Sequence, residues 1–166
     1  MNSVFDLSER LSVLPILYGS GDIALQVRRH LTNWSPDCVA LPLPPSFADP
    51  VEQGVGRLPQ ISVAIQREIS IEGAYNYVPI DPCQGVISAV RTAMDLGTHR
   101  AYVDLEVGSY EENELVLPDP YALKEVSLER FVAAMVPALT APNDGDQRLA
   151  RIRRMAYEPV SYTHLT

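Results

Sequence analysis

Three carboxylates make the best case for chemistry in this chain: Asp81, Asp104 and Glu106. Asp104 and Glu106 alternate with apolar residues in the run from Ala101 to Val107, and Asp81 stands before Pro82 at the start of a helical pattern. In an open α/β sheet such positions fall near the carboxyl ends of strands, where these folds place ligands. Grouped carboxylates there hold a hard cation or do acid–base work. Asp104 and Glu106 are the candidates for a divalent metal, should the chain take a cofactor, and with Asp81 they are the catalytic candidates. Each acid also has a plainer use. An aspartate at a helix start caps free amides, worth about 1 kcal/mol, and alternating acids form the ordinary polar face of a strand.

Other residues with reactive side chains are less well placed. Cys83 follows Asp81-Pro82 in a first helical turn, where the dipole lowers a thiol's pKa, while the neighbouring Asp81 pushes it up. His30 and His99 lack the spacing of metal ligands and stand far from Cys83 in sequence. Gly19-Ser20-Gly21-Asp22 occupies the place of a dinucleotide loop but lacks the third glycine and the wider spacing. Asp22 would also repel a pyrophosphate at the helix end that should bind it. The segment reads as a plain turn.

The elements that must position these residues are organised around Leu14 to Leu43. Pro15 to Tyr18 reads as a short strand opened by proline. After the glycine turn, Ile23, Val27 and Leu31 recur every four residues as the buried stripe of a helix, with Arg28 and Arg29 off it. Asn33 and Ser35-Pro36 stop that helix. Cys38 to Leu41 reads as a strand parallel to the first, through a right-handed crossover. Upstream, residues 3–10 read as a short helix, with Ser3 and Asp6 close to a capping box.

Downstream, Pro42 to Pro45 is a stiff loop, and Asp49-Pro50 starts a helix kept short by Gly54 and Gly56. Ile61 to Ile65 is a third strand, followed by an exposed excursion over 67–76. Tyr77 to Ile80 is an edge strand or docked loop, because of Pro79. The Asp81-Pro82 helix turns Val86, Val90, Ala93 and Met94 inward and ends at Gly97. The next strand runs from Ala101 to Val107, with Val103, Leu105 and Val107 on one face. An acidic loop with Glu111, Glu112 and Glu114 leads to a helix from Ser127, with Leu128, Val132, Met135 and Leu139 inward and its end near Pro137. Asp146 caps a last helix carrying Leu149, Ile152 and Met155. Alternating strands and helices predict an α/β fold: a mostly parallel sheet built from βαβ units, with helices on both faces.

At 166 residues, 46% hydrophobic and 20% charged, the chain suits one domain with a real core. Its net charge of −8 argues against a nucleic-acid partner, which calls for a basic patch. No apolar run approaches the roughly 20 residues of a membrane span, so no membrane is expected. Asp6, Glu9 and Arg10, without a basic leader, do not read as a signal peptide. Two cysteines, Cys38 and Cys83, are too few for a disulfide framework, and a reducing cytoplasm is expected. Val160 to Thr166 resembles the translated read-through of a sequencing adapter. The expectation is a single α/β domain over 1–158, the N-terminal part of a longer protein, with 159–166 a disordered, non-native tail.

The glycine turn, the V-R-R-x-L helix at 27–31, the P-D-C-V-A-L strand at 36–41, the proline loop, the stretch from Tyr77 to Gly97 and the Asp104-Leu105 strand occur in that order. Together they resemble an uncharacterised bacterial family related to the TraB/ChaN and erythromycin-esterase-like group. The resemblance covers roughly residues 13–158, with Arg154-Met155-Ala156-Tyr157 similar to that family's late helix. It implies an α/β fold and a hydrolase or metal-dependent ancestry. Relatives carry histidine before the glycine turn and an acid after the second strand, where this chain has Leu17-Tyr18 and Pro42. Asp104 is the acid that matches. The expectation is therefore a non-catalytic or divergent member acting through protein partners. The alternative is a metal-assisted hydrolase using a carboxylate cluster at the sheet's carboxyl edge.

Overall fold

The computed structural model describes residues 6–67, 75–106 and 119–139. Helices and strands are mixed, as an α/β chain requires. The first helix, α1 (Gly21–Trp34), follows from its sequence. Ser20 is its N-cap and accepts a hydrogen bond from the Ile23 amide at 3.3 Å. Ile23, Ala24, Val27 and Leu31 are buried, and Arg28 and Arg29 lie in solvent. Ser35 ends the helix in the left-handed region at φ 49° and donates its N–H to the Leu31 carbonyl. Pro36 behind it bars a further helical turn.

The expected strand from Pro15 to Tyr18 is not formed. Residues 13–17 carry no ladder bonds, yet Leu14, Ile16, Leu17 and Tyr18 pack against the core. Ile16 comes so close to the helix Gly85–Leu96 that a Cβ on Gly85 would stand 2.7 Å from its Cγ2. Side-chain burial without pairing suffices here, because Pro15 has no amide to give. The helix expected over 3–10 is also replaced, within the described residues, by a hairpin of β1 (Asp6–Ser8) and β2 (Leu11–Ser12). The Ser8 hydroxyl accepts the Arg10 amide at 3.3 Å, a local bond that competes with helix.

Strand β3 (Cys38–Leu41) leads through a single 3-10 turn, Pro45–Phe47, into α2 (Ala48–Val55). Asp49 sits in the first turn of α2, whose N-cap is Phe47. Strands β4 (Ser62–Arg67) and β5 (Tyr75–Ile80) form an antiparallel ribbon, so β5 starts inside the expected excursion. Val63 stands opposite Pro79, which is tolerated because the pair has open edges. Helix α3 (Gly85–Leu96) ends at Gly97, whose φ of 66° suits glycine. Strand β6 (His99–Tyr102) then pairs in parallel with β3, Cys38 against His99 through Leu41 against Tyr102. The parallel partner of β3 is thus β6 and not residues 15–18.

β6 starts two residues earlier than expected and stops at Tyr102, leaving Val103 and Leu105 exposed. The Val103 amide closes the ladder on the Leu41 carbonyl, and the Asp104 amide reaches the Leu43 carbonyl one residue out of its regular spacing. Helix α4 (Leu128–Leu139) has the Ser127 hydroxyl accepting from the Arg130 amide, and it runs on through Pro137.

The described residues hold three two-stranded sheets, one parallel and two antiparallel. Helix α1 packs along α3, and α3 packs on β3. Val39 and Leu41 are buried, whereas Cys38 and Ala40 are exposed, so one face of β3 is bare. Ile80, Val86, Ile87, Val90, Phe131 and Val132 complete the core. The acidic residues Glu111, Glu112 and Glu114, the helix expected from Asp146, and the tail at 159–166 lie outside the described residues. Among the described residues no helix is long and apolar enough to cross a membrane.

Candidate functional site at the carboxyl end of the parallel pair

β3 and β6 point their carboxyl ends at the loop that opens with Pro42. Two of the three candidate acids come there. Asp104 is half-buried, and burial pushes its carboxyl above the usual carboxylate range. The Leu105 amide, donating at 2.8 Å, opposes this, and the nearby Glu106 adds to it. Glu106 clamps the loop: Oε1 accepts the Ser46 amide at 2.7 Å and Oε2 the Ser46 hydroxyl at 2.9 Å. Gln66 of β4 lies 3.0 Å from the same hydroxyl. A hydroxyl has one proton, so when it donates to Glu106, Gln66 meets its oxygen with the amide nitrogen.

Asp81 has a different occupation. Its carboxylate accepts the Cys83 amide at 2.7 Å in the turn before α3. The charge of Asp81, then burial, pushes the Cys83 thiol up, which disfavours the nucleophilic thiolate. Among the described residues no three histidine, cysteine, aspartate or glutamate side chains gather to hold a metal ion. The expected three-carboxylate grouping is therefore reduced to the neighbouring pair Asp104 and Glu106.

The glycine turn contributes position rather than chemistry. The Gly19 amide donates to Gln84 Oε1 at 2.9 Å, tying the turn to the start of α3. Behind it, Tyr18, Phe47, Asn76 and Gln84 help line a cavity of about 20 Å³. That is space for one water, not for a substrate. Asn76 Oδ1 is buried with no hydrogen-bond partner among the described residues, the kind of group such a water satisfies.

A second polar cluster was not legible in the sequence. Arg100 Nε and Nη2 donate to the two Glu52 oxygens at 2.8 and 3.1 Å, and Nη1 donates to the Thr98 carbonyl at 3.0 Å. Tyr102 adds its hydroxyl at 3.4 Å. Arg100 holds the Glu52 carboxyl below its ordinary value, while burial and then the Glu52 charge hold the Tyr102 phenol well above its own. This bidentate pair joins α2 to β6. Nothing in the spacing of Glu52 and Arg100 marks them as partners. Ser46 could be flagged only as a polar residue at the end of a proline run.

No family model matches the chain, and neither a curated protein nor a solved structure matches it.

Proposed function

We propose that this α/β domain is a non-catalytic or divergent relative of the TraB/ChaN and erythromycin-esterase-like group that acts through protein partners in the cytoplasm. One observation carries the partner role: the outer face of the β4–β5 ribbon is bare and, up to Arg67 at its end, apolar. Ile61, Val63, Ile65 and Tyr75 are 65%, 51%, 64% and 52% exposed. Val63 and Ile65 stand directly opposite Pro79 and Tyr77, so they share one face. Contiguous bare apolar strips on folded chains mark contact surfaces. The carboxylates support the non-catalytic half, because Glu106 and Asp81 are spent on backbone amides. The bare face of β3 supports a larger, mostly parallel sheet with helices on both faces, of which β3 and β6 are a part.

The test is a hydrolase screen of the purified protein, with and without added Mg²⁺ or Mn²⁺. No turnover is expected; robust turnover abolished by Asp104→Ala would reject the non-catalytic reading. A metal-assisted hydrolase using Asp104 and Glu106, with Asp81 in support, is the second reading. It is favoured by the raised pKa of half-buried Asp104 beside Glu106, since perturbed acids cluster at functional sites. It fails if titration calorimetry finds no divalent-metal binding.

A further inference from the structure

Strand β3 turns its outer edge toward a cleft. The Val103 amide donates to the Leu41 carbonyl at 3.1 Å. That fixes the alternation: Val39 and Leu41 aim their backbone groups at β6, and Cys38 and Ala40 aim theirs away. Among the described residues β3 pairs with β6 alone. The cleft along this edge has a volume of about 350 Å³, within the range of ligand pockets. Val27 and Leu31 of α1 line it on one side and the segment from Arg10 to Leu14 on another. Trp34, 39% exposed, also lines it and leans on His30, with ring centroids 5.9 Å apart.

The charge of this cleft is opposite in sign to that of the chain as a whole. The chain carries a net −8, yet among the described residues no carboxylate lines the cleft, and Arg10 is the one arginine or lysine that does. The Arg10 side chain makes no ion pair or hydrogen bond among the described residues.

We propose that this cleft takes an extended, apolar segment of a partner protein as an added strand on β3, with an acidic side chain of that segment against Arg10. The proposal rests on the partner-binding reading but stands on a different surface from the ribbon. An unpaired strand edge supplies main-chain bonds to such a segment, and the alternation of its side chains supplies the selectivity. Trp34 offers the kind of aromatic anchor that dominates such contacts. A second copy of this chain suits the cleft less well, since the free edge of its β3 would bring its own segment 10–14 and its own α1 into the same space.

Trp34 is the chain's single tryptophan, so its fluorescence reports on this place. The probe is the capped heptapeptide EVTVTVT, titrated into the full chain. A saturable change in Trp34 emission is expected. Arg10→Glu should weaken binding at least tenfold, and a heptapeptide N-methylated at alternate residues should lose it. Val63→Lys with Ile65→Lys on the ribbon should leave it unchanged, so failure of the cleft and failure of the ribbon surface are told apart. Hydrogen exchange on the wild-type chain tests the edge without any variant: the Cys38 and Ala40 amides should exchange fast when free and slow with peptide. The proposal is overturned by no saturable change at millimolar peptide, by equal binding of the N-methylated peptide, or by protection of those amides in the free monomer. Protection that appears only with rising protein concentration would assign the edge to a second copy and overturn it too.

Discussion

The two strand pairs β3–β6 and β4–β5 make opposite use of similar sequence patterns. In β3 the alternation puts Val39 and Leu41 inward and leaves Cys38 and Ala40 outside. In β4 it puts Ala64 inward and leaves Val63 and Ile65 outside. The larger branched residues therefore build the core in β3 and the surface in β4. Period-2 alternation reports that a strand has two faces; which one meets the core depends on what packs there. For the ribbon the core side is set by Val78 and Ile80, which lie under α2.

The largest effect expected from this contrast is at Leu41, which has no exposed surface. Leu41→Ala should cost about 2–5 kcal/mol in a denaturant titration, whereas Ile65→Ala on the bare ribbon should stay within about 0.5 kcal/mol. Equal losses would mean that the ribbon's outer face is covered. Along α1 the same logic separates Val27→Asp, which buries an unpaired carboxylate at a cost of several kcal/mol, from Arg29→Asp, which should change little. Next in size is Gly54→Ala. A Cβ there would meet Ile80 Cγ1 at 2.8 Å, so α2 must shift off the ribbon, at about 1–3 kcal/mol.

A smaller effect belongs to Glu52, and its sign depends on pH. Its folded pKa is lowered by Arg100, so the pair stabilises the fold above the unfolded value and loses that contribution as pH falls through the folded one. Stability curves of wild type and Glu52→Gln should converge in acid below the ordinary glutamate range and separate near neutrality, by about 1 kcal/mol. Asp104 runs the other way. Its pKa is raised by burial, so its charged form weighs on the fold as pH rises through that raised value. Asp104→Asn should be neutral or slightly stabilising at pH 7; a marked loss would show that the ionised form is needed where it stands.

The parts legible in the sequence were those decided locally. The stripe of α1, its stop at Ser35-Pro36 and the end of α3 at Gly97 each rest on neighbours within a turn or two, and the structure has all three. Pairing was not legible, because a partner is chosen by the assembled core. Residues 15–18 had the composition of a strand, but Pro15 lacks an amide and Ile16 found its burial against Gly85. The same limit explains the candidate site. Asp104 and Glu106 were named from their alternation, while Ser46, Gln66 and Asn76 arrive from three other stretches of chain. Asp81 carries the pattern of a capping acid, yet its carboxylate closes the turn before α3 on the Cys83 amide, while the N-cap of α3 is Gln84.

The Ser46–Glu106 clamp joins residues 60 positions apart. Closing so long a loop sacrifices chain entropy before any contact repays it, whereas the β4–β5 ribbon needs only a short closure. The ribbon should therefore assemble early and the β3–β6 junction late, with the clamp absent from the folding transition state. Weakening it by Glu106→Gln should then speed unfolding while leaving the refolding rate almost unchanged. In stopped-flow chevrons only the unfolding limb would move. The half-life of the folded chain would be governed by a hydrogen-bonded serine that contributes nothing to how fast the fold is reached.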